Sequence, residues 1–170
     1  MSTIYQLLKQ DHREVSKLFK QAKKVVKENP DEAKEIFLTI KEELVAHAKA
    51  EEEVFYNPLK AKSEQDEAQD VAEEGTQEHH VVALLIKELS QLDCNLPEWE
   101  AKLVVLSELV EHHVEEEEGE IFTQARKVFS SLEAKEMAQE MERLKEDKKA
   151  QIDSLLNKEA KQLVSPLKKN

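Results

Sequence analysis

Glu111-His112-His113-Val114-Glu115-Glu116-Glu117-Glu118-Gly119-Glu120-Ile121-Phe122 sets two histidines ahead of a dense carboxylate block, inside a segment whose apolar residues recur with a helical period. Two readings compete for it. A charge run of this kind is ordinarily a solvated helix face; alternatively, a histidine and a glutamate one turn apart chelate a metal. Residues at i and i+4 of an α-helix have Cβ atoms about 5–6 Å apart, so His113 and Glu117 can reach one cation centre. Matching ligands elsewhere in the chain decide between the readings.

A second copy of the pattern exists. The segment from Asp31 to Asn57 reads as a helix whose inward row is Phe37, Ile40, Leu44, His47, Glu51 and Val54, spaced by three and four residues. A helix opening at Pro97 has the row Trp99, Leu103, Leu106, Val110, His113, Glu117 and Ile121. Both rows run through apolar turns to His and then to Glu at i+4. An unpaired buried carboxylate is strongly unfavourable, so Glu51 needs a cation, a proton or several donors beside it. His112 falls on a flanking line with Val105 and Leu109 and is the weaker candidate.

Each copy is preceded by a helix with one inward histidine. The first helix, about Thr3 to Glu28, places His12 in line with Leu8 and Val15; the third, about Asp70 to Leu92, places His79 in line with Ala72, Val82, Ile86 and Leu89. His80 points about 100° away and reads as an edge residue. A lone inward histidine is more often a hydrogen-bonded core residue than a ligand. The spacing repeats, however: His47-x-x-x-Glu51 follows His12 by 35 residues, His113-x-x-x-Glu117 follows His79 by 34, and Glu53-Val54-Phe55 is echoed by Glu120-Ile121-Phe122.

The remaining segments frame these helices. Asn29-Pro30-Asp31 separates the first two, Asn57-Pro58 is expected to end the second, and Ala61 to Gln69 reads as a loop. Gly75, one turn before His79, costs about 1 kcal/mol relative to Ala inside a helix, which points to close packing or to space beside a site. A capping box at Ser130-x-x-Glu133 opens one last helix, about Leu132 to Asn157, with the stripe Met137, Met141, Leu144, Ile152 and Leu155. Ser165-Pro166 and Lys168-Lys169 belong to an expected frayed tail. The reading is an all-α, antiparallel up-down-up-down four-helix bundle over residues 1–128, with an additional C-terminal helix and tail over 129–170 that packs on the bundle or meets a protein partner.

Composition supports this class. The chain has 170 residues, two Gly, four Pro and 36% charged residues, enough length for one core and a bias towards helix. The single Cys94 cannot form an internal disulfide, no N-terminal run has a signal-peptide layout, and no apolar run approaches the roughly 20 residues of a membrane span. A cytoplasmic protein without membrane contact is expected. A net charge of −12 argues against nucleic acid as a partner. Residues 132–170 carry nine basic against eight acidic side chains, so the acidity lies with the histidines.

Four antiparallel helices would bring His12, His47, Glu51, His79, His113 and Glu117 to one central layer. Imidazole and carboxylate without thiolate suit iron, manganese or zinc, and six ligands exceed the four of a tetrahedral zinc. A binuclear site fits better: His12 and His47 on one metal, His79 and His113 on the other, Glu51 and Glu117 spanning both. Such a set leaves room for a solvent-derived oxo or hydroxo bridge and for open positions.

At this point the chain resembles the hemerythrin-like family of HHE cation-binding domains. The matching residues are Asp11-His12, His47 to Phe55, Glu78-His79 and His113 to Phe122, in the order H, HxxxE, H, HxxxE over about residues 3 to 126. The resemblance implies a non-haem di-iron centre with dioxygen, nitric oxide or peroxide as ligand, serving sensing, stress response or iron handling. Two departures stand out. Oxygen-carrying members place two histidines one turn apart on the third helix, where this chain has Gly75 and Ala83 four residues to either side of His79. In addition, Phe55 lies eight residues after His47 but Phe122 nine after His113, which makes Glu118 a rival to Glu117 through a local π-bulge. A ferritin-like di-iron site would need Glu three residues before His, and no histidine here has it. The other alternative is a structural or interaction module whose histidines are merely buried.

Overall fold

The computed structural model describes residues 2–64 and 66–164. The expected tail at Ser165-Pro166 and Lys168-Lys169 lies outside the described residues. Helix α1 (Ile4–Val25) begins where the Thr3 N–H donates to Gln6 Oε1 at 3.0 Å. Helix α2 (Pro30–Glu51) is capped by Asn29, whose Oδ1 accepts the Glu32 N–H, with Pro30 as its first residue. It runs on without a break through a π-helical turn (Glu52–Tyr56) into α3 (Asn57–Lys62). Helix α4 (Asp66–Gln91) follows, then α5 (Pro97–Glu116), which passes through a second π turn (Glu117–Ile121) into α6 (Phe122–Val128).

Three sequence expectations are corrected here. Asn57-Pro58 does not end the second helix. Proline is excluded from a helix by its missing N–H and by its ring striking the preceding turn; the π turn directly before it, where the Asn57 N–H reaches back to Glu52 O, widens the backbone at that place. The expected loop over 61–69 is consequently short, since α3 reaches Lys62 and α4 starts at Asp66. Finally, the last helix is two: α7 (Ser131–Lys149), opened by the reciprocal Ser130 and Glu133 cap, and α8 (Ile152–Val164), with a turn at Ala150 and Gln151 between.

The bundle of α1, α2, α4 and α5 buries two apolar clusters, one at each end. The start of α1 (Ile4, Leu8) meets the π turn after α2 (Phe55), the start of α4 (Ala68, Ala72) and Ile121 and Phe122 in one of them. The end of α1 (Phe19, Ala22) meets the start of α2 (Ala33, Phe37), the end of α4 (Ile86, Leu89) and the start of α5 (Trp99, Leu103) in the other. That alternation is the antiparallel order. Trp99 is fully buried, packs edge-on against Phe37 at 5.7 Å and donates its indole N–H to Leu89 O. Side chains of this kind stabilise by about 1.5–3 kcal/mol each.

Helix α7 lays Ala134, Ala138, Met141 and Leu144 on the first cluster, whereas Leu156 of α8 enters the second. The stripe expected on one helix therefore serves two different cores. Cys94 is buried in the turn before α5, and burial pushes its thiol up, away from reactivity. Among the described residues, no helix is long and apolar enough to cross a membrane.

Candidate metal centre

Between the two apolar clusters lies a polar layer built from all four bundle helices. His12 (α1), His47 and Glu51 (α2), His79 (α4), and His113 and Glu117 (α5 and the following turn) are all buried, and both glutamates are 0% exposed. The six residues singled out from sequence are thus together. Neither contested neighbour shares their place: the His112 side chain is 62% exposed and pairs with Glu116, and Glu118 is turned sideways, 28% exposed.

The imidazoles present their Nε2 atoms inward. His12 Nε2 stands 3.0 Å from Glu117 Oε2, and His113 Nε2 4.0 Å from the same oxygen. His47 Nε2 stands 3.3 Å and His79 Nε2 3.5 Å from Glu51 Oε2. Each carboxylate therefore lies between histidines of both halves, the position a bridging ligand occupies. Donor atoms of His12, His47 and Glu117 group within 4.8 Å of one another, as do those of Glu51, His79 and His113.

The Nδ1 atoms face outward, each to a carboxylate; three of these had no role in the sequence reading, and the fourth, Glu118, was there a rival ligand. His47 meets Asp11 at 3.0 Å, His79 meets Glu52 at 3.1 Å, His113 meets Glu78 at 2.6 Å and His12 meets Glu118 at 2.9 Å. A carboxylate only accepts, so Nδ1–H is the donor and the Nε2 lone pair is left for the centre. The pairs form a circuit: α1 supplies the carboxylate for α2, the π turn after α2 for α4, α4 for α5, and the π turn after α5 for α1. Lysines hold three of these acids in turn, Lys145 on Asp11 (2.7 Å), Lys49 on Glu52 (2.7 Å) and Lys9 on Glu118 (3.2 Å). The available signal was adjacency, because each outer acid is the chain neighbour of an inward residue.

Both motifs carry a π turn, beginning at Glu52 in one and Glu117 in the other. The one-residue offset between the copies is therefore not a bulge present in only one of them. In each copy the turn sits where one glutamate points inward and the next one reaches across to the neighbouring helix. It also brings Tyr56 into the layer, a further residue the sequence reading missed. The Tyr56 ring stacks on His79 at 5.4 Å, and a Cβ on Gly75 would lie only 2.9 Å from its Cε2. Gly75 is close packing against a residue of the site, which joins the two explanations offered for it.

Electrostatics mark the layer as incomplete by itself. Both oxygens of Glu51, both of Glu117, His12 Nε2 and the Tyr56 hydroxyl are buried without a hydrogen-bond partner. Burial and the Glu117 carboxylate push Glu51 well above the usual carboxylate range. Burial also raises Glu117, yet Glu51, His12 and His113 more than offset it and hold that group below the usual range. Burial lowers His79 to about 4, leaving a neutral imidazole at pH 7. Orphaned carboxylate oxygens facing inward lone pairs are what a pair of divalent cations would satisfy. A cavity of about 30 Å³ is lined by the four imidazoles and Asp11 on one side and by Val15, Leu44, Ala48, Val82, Val110 and Val114 on the other.

A family model described as the hemerythrin HHE cation binding domain matches residues 3–125. The chain belongs to that family. The hemerythrin match ends before α7, so α7 and α8 lie beyond it. Among curated proteins the chain is similar to a protein named DNA nickase from Nostoc sp. (strain PCC 7120), with 27% identity over 142 residues, which is 84% of this chain and 39% of that protein. The chain thus spans about two fifths of the length of that relative. No solved structure matches.

Proposed function

We propose that the chain is a non-haem di-iron protein that binds a small neutral diatomic molecule, dioxygen or nitric oxide. His12 and His47 hold one iron, His79 and His113 the other, and Glu51 and Glu117 bridge them. The observation that carries this reading is the set of orphaned oxygens on Glu51 and Glu117, each aimed at imidazole nitrogens of both halves. Iron supplies the ligand-binding and redox chemistry. The protein's part is to fix the imidazoles through their outer carboxylates, exclude water and admit the ligand.

The cavity supports a diatomic. Its volume of about 30 Å³ exceeds the roughly 10–15 Å³ that one water needs, and beyond the imidazoles and Asp11, which is paired with Lys145, its wall is aliphatic. Peroxide turnover is the second chemical reading of the same open position. We assign residues 1–128 to the metal-binding unit and 129–170 to an appended segment. A role in sensing oxidative or nitrosative stress from the cytoplasm agrees with a ligand-binding centre that has no charged substrate pocket. The named relative concerns DNA, but a net charge of −12 opposes a phosphate backbone, and nucleic acid is not a proposed partner.

Iron analysis of protein purified in air, followed by stopped-flow mixing of the reduced protein with oxygen, nitric oxide and peroxide, tests the reading. Two irons per chain and a long-lived adduct with a diatomic are expected. Rapid peroxide consumption without an adduct would turn the assignment to an enzyme. Iron far below two per chain, with unaltered folding, would leave a structural module.

A further inference from the structure

Resting on the di-iron reading, we infer that Lys145, on the C-terminal helix α7, is a positioning residue of the metal centre, acting on the His12 and His47 half alone. Its ammonium is 2.7 Å from Asp11 Oδ2, and the same oxygen is 3.0 Å from His47 Nδ1. The Lys145 side chain is only 12% exposed and Asp11 is buried, so this is no loose surface pair. Lys145 belongs to neither the family-matched span nor the bundle.

Two donors on one oxygen fix the plane of the Asp11 carboxylate. With the ammonium removed, a buried carboxylate is left with one donor, and rotation towards water relieves that cost. His47 then loses the partner that orients its ring, a kind of loss that commonly weakens metal binding 10–100-fold. Helix α7 is placed to deliver this group by flanking ion pairs, Lys149 to Glu43 at 2.9 Å and Lys148 to Glu53 at 2.7 Å. On the other half, Lys49 makes the equivalent contact to Glu52 and so to His79 from within α2. The His79 half is thus backed by a lysine of the bundle, whereas the His12 and His47 half is backed by Lys9 of the bundle, through Glu118, together with Lys145 of the appended helix, through Asp11.

Titration of the metal-free full chain with Co(II), read by absorption and calorimetry, tests this. Wild type should take up two equivalents. Lys145→Met should weaken one step about tenfold and leave the other within twofold; Lys49→Met should weaken the opposite step; Lys145→Arg should restore the first. Lys148→Met, which removes the α7 contact to Glu53 and shares no carboxylate with Lys145, should change neither. Equal weakening of both steps by Lys145→Met, no change in either, or the same one-step loss from Lys148→Met would overturn the inference while leaving the two-metal site standing. Absence of Co(II) uptake by wild type would remove the di-iron reading and this inference with it.

Discussion

His79 Nε2 and His113 Nε2 stand 3.1 Å apart, although the Nδ1 of each ring already faces a carboxylate. Two lone pairs at that distance repel unless a proton or a metal ion lies between or beside them. A bound ion would replace that repulsion with two bonds, and metal binding to the folded state adds to stability. At a hundred times the dissociation constant the gain is about 2.7 kcal/mol, or roughly 5–10 °C in Tm for a chain of this size. Scanning calorimetry of metal-free protein with and without Fe(II) under argon measures it, and an unchanged Tm would count against the centre.

Glu51 and Glu117 should respond differently to the same chemical change. Glu51 holds its proton well above the usual range, so Glu51→Gln resembles its metal-free form and should alter metal-free stability by less than about 1 kcal/mol. Glu117 is held ionised first by the Glu51 carboxyl and then by His12 and His113, so Glu117→Gln should cost about 1–3 kcal/mol even without metal. Both should lose bound iron. Urea denaturation of the metal-free variants, paired with iron analysis, separates the two effects.

The metal-free protein should be acid-sensitive through His79. Burial depresses this imidazole to about 4 from its ordinary 6.5, so between those values the unfolded chain binds a proton that the folded chain does not. Stability is retained above about pH 6.5 and lost as pH falls towards 4, on the order of 3 kcal/mol in all. Urea midpoints between pH 7 and pH 4 should therefore fall less steeply in His79→Gln than in wild type. Parallel slopes would show that His79 does not carry the effect.

Gly75→Ala should destabilise even though alanine is the better helix former by about 1 kcal/mol. The new Cβ would lie 2.9 Å from Cε2 and 3.0 Å from the hydroxyl of Tyr56, whose ring is fully buried and cannot swing aside. Overpacking of this kind costs about 1–3 kcal/mol. In a Tyr56→Leu background the same change should become neutral or stabilising. A double-mutant cycle by thermal melting reads that reversal.

The inward rows were legible because a helix repeats every 3.6 residues, and His47 with Glu51, like His113 with Glu117, continue the lines of Phe37, Ile40, Trp99 and Leu103. The outer carboxylates were not. Asp11, Glu52, Glu78 and Glu118 stand next to inward residues in the chain, hence about 100° around the helix, where an acid is ordinarily solvated. What recruits them is the histidine of a different helix, and no pattern within one helix contains that. Tyr56 was hidden for another reason: extrapolating an α-helical period from Glu51 fails once a π turn intervenes. The break at Ala150 escaped notice because Met141 and Ile152 fit one apolar stripe as readily as two.

The circuit of carboxylates also sets when the centre can exist. No histidine of the layer takes its outer carboxylate from its own helix, and the last pair, His12 with Glu118, joins residues 106 apart in the chain. During synthesis on a ribosome His12 emerges early, and its carboxylate follows only once α5 has been made. A nascent or half-docked bundle therefore offers isolated side chains and no finished binding geometry. The finished geometry should form only when α5 has docked against α1, so the four histidines become a site together and not one by one.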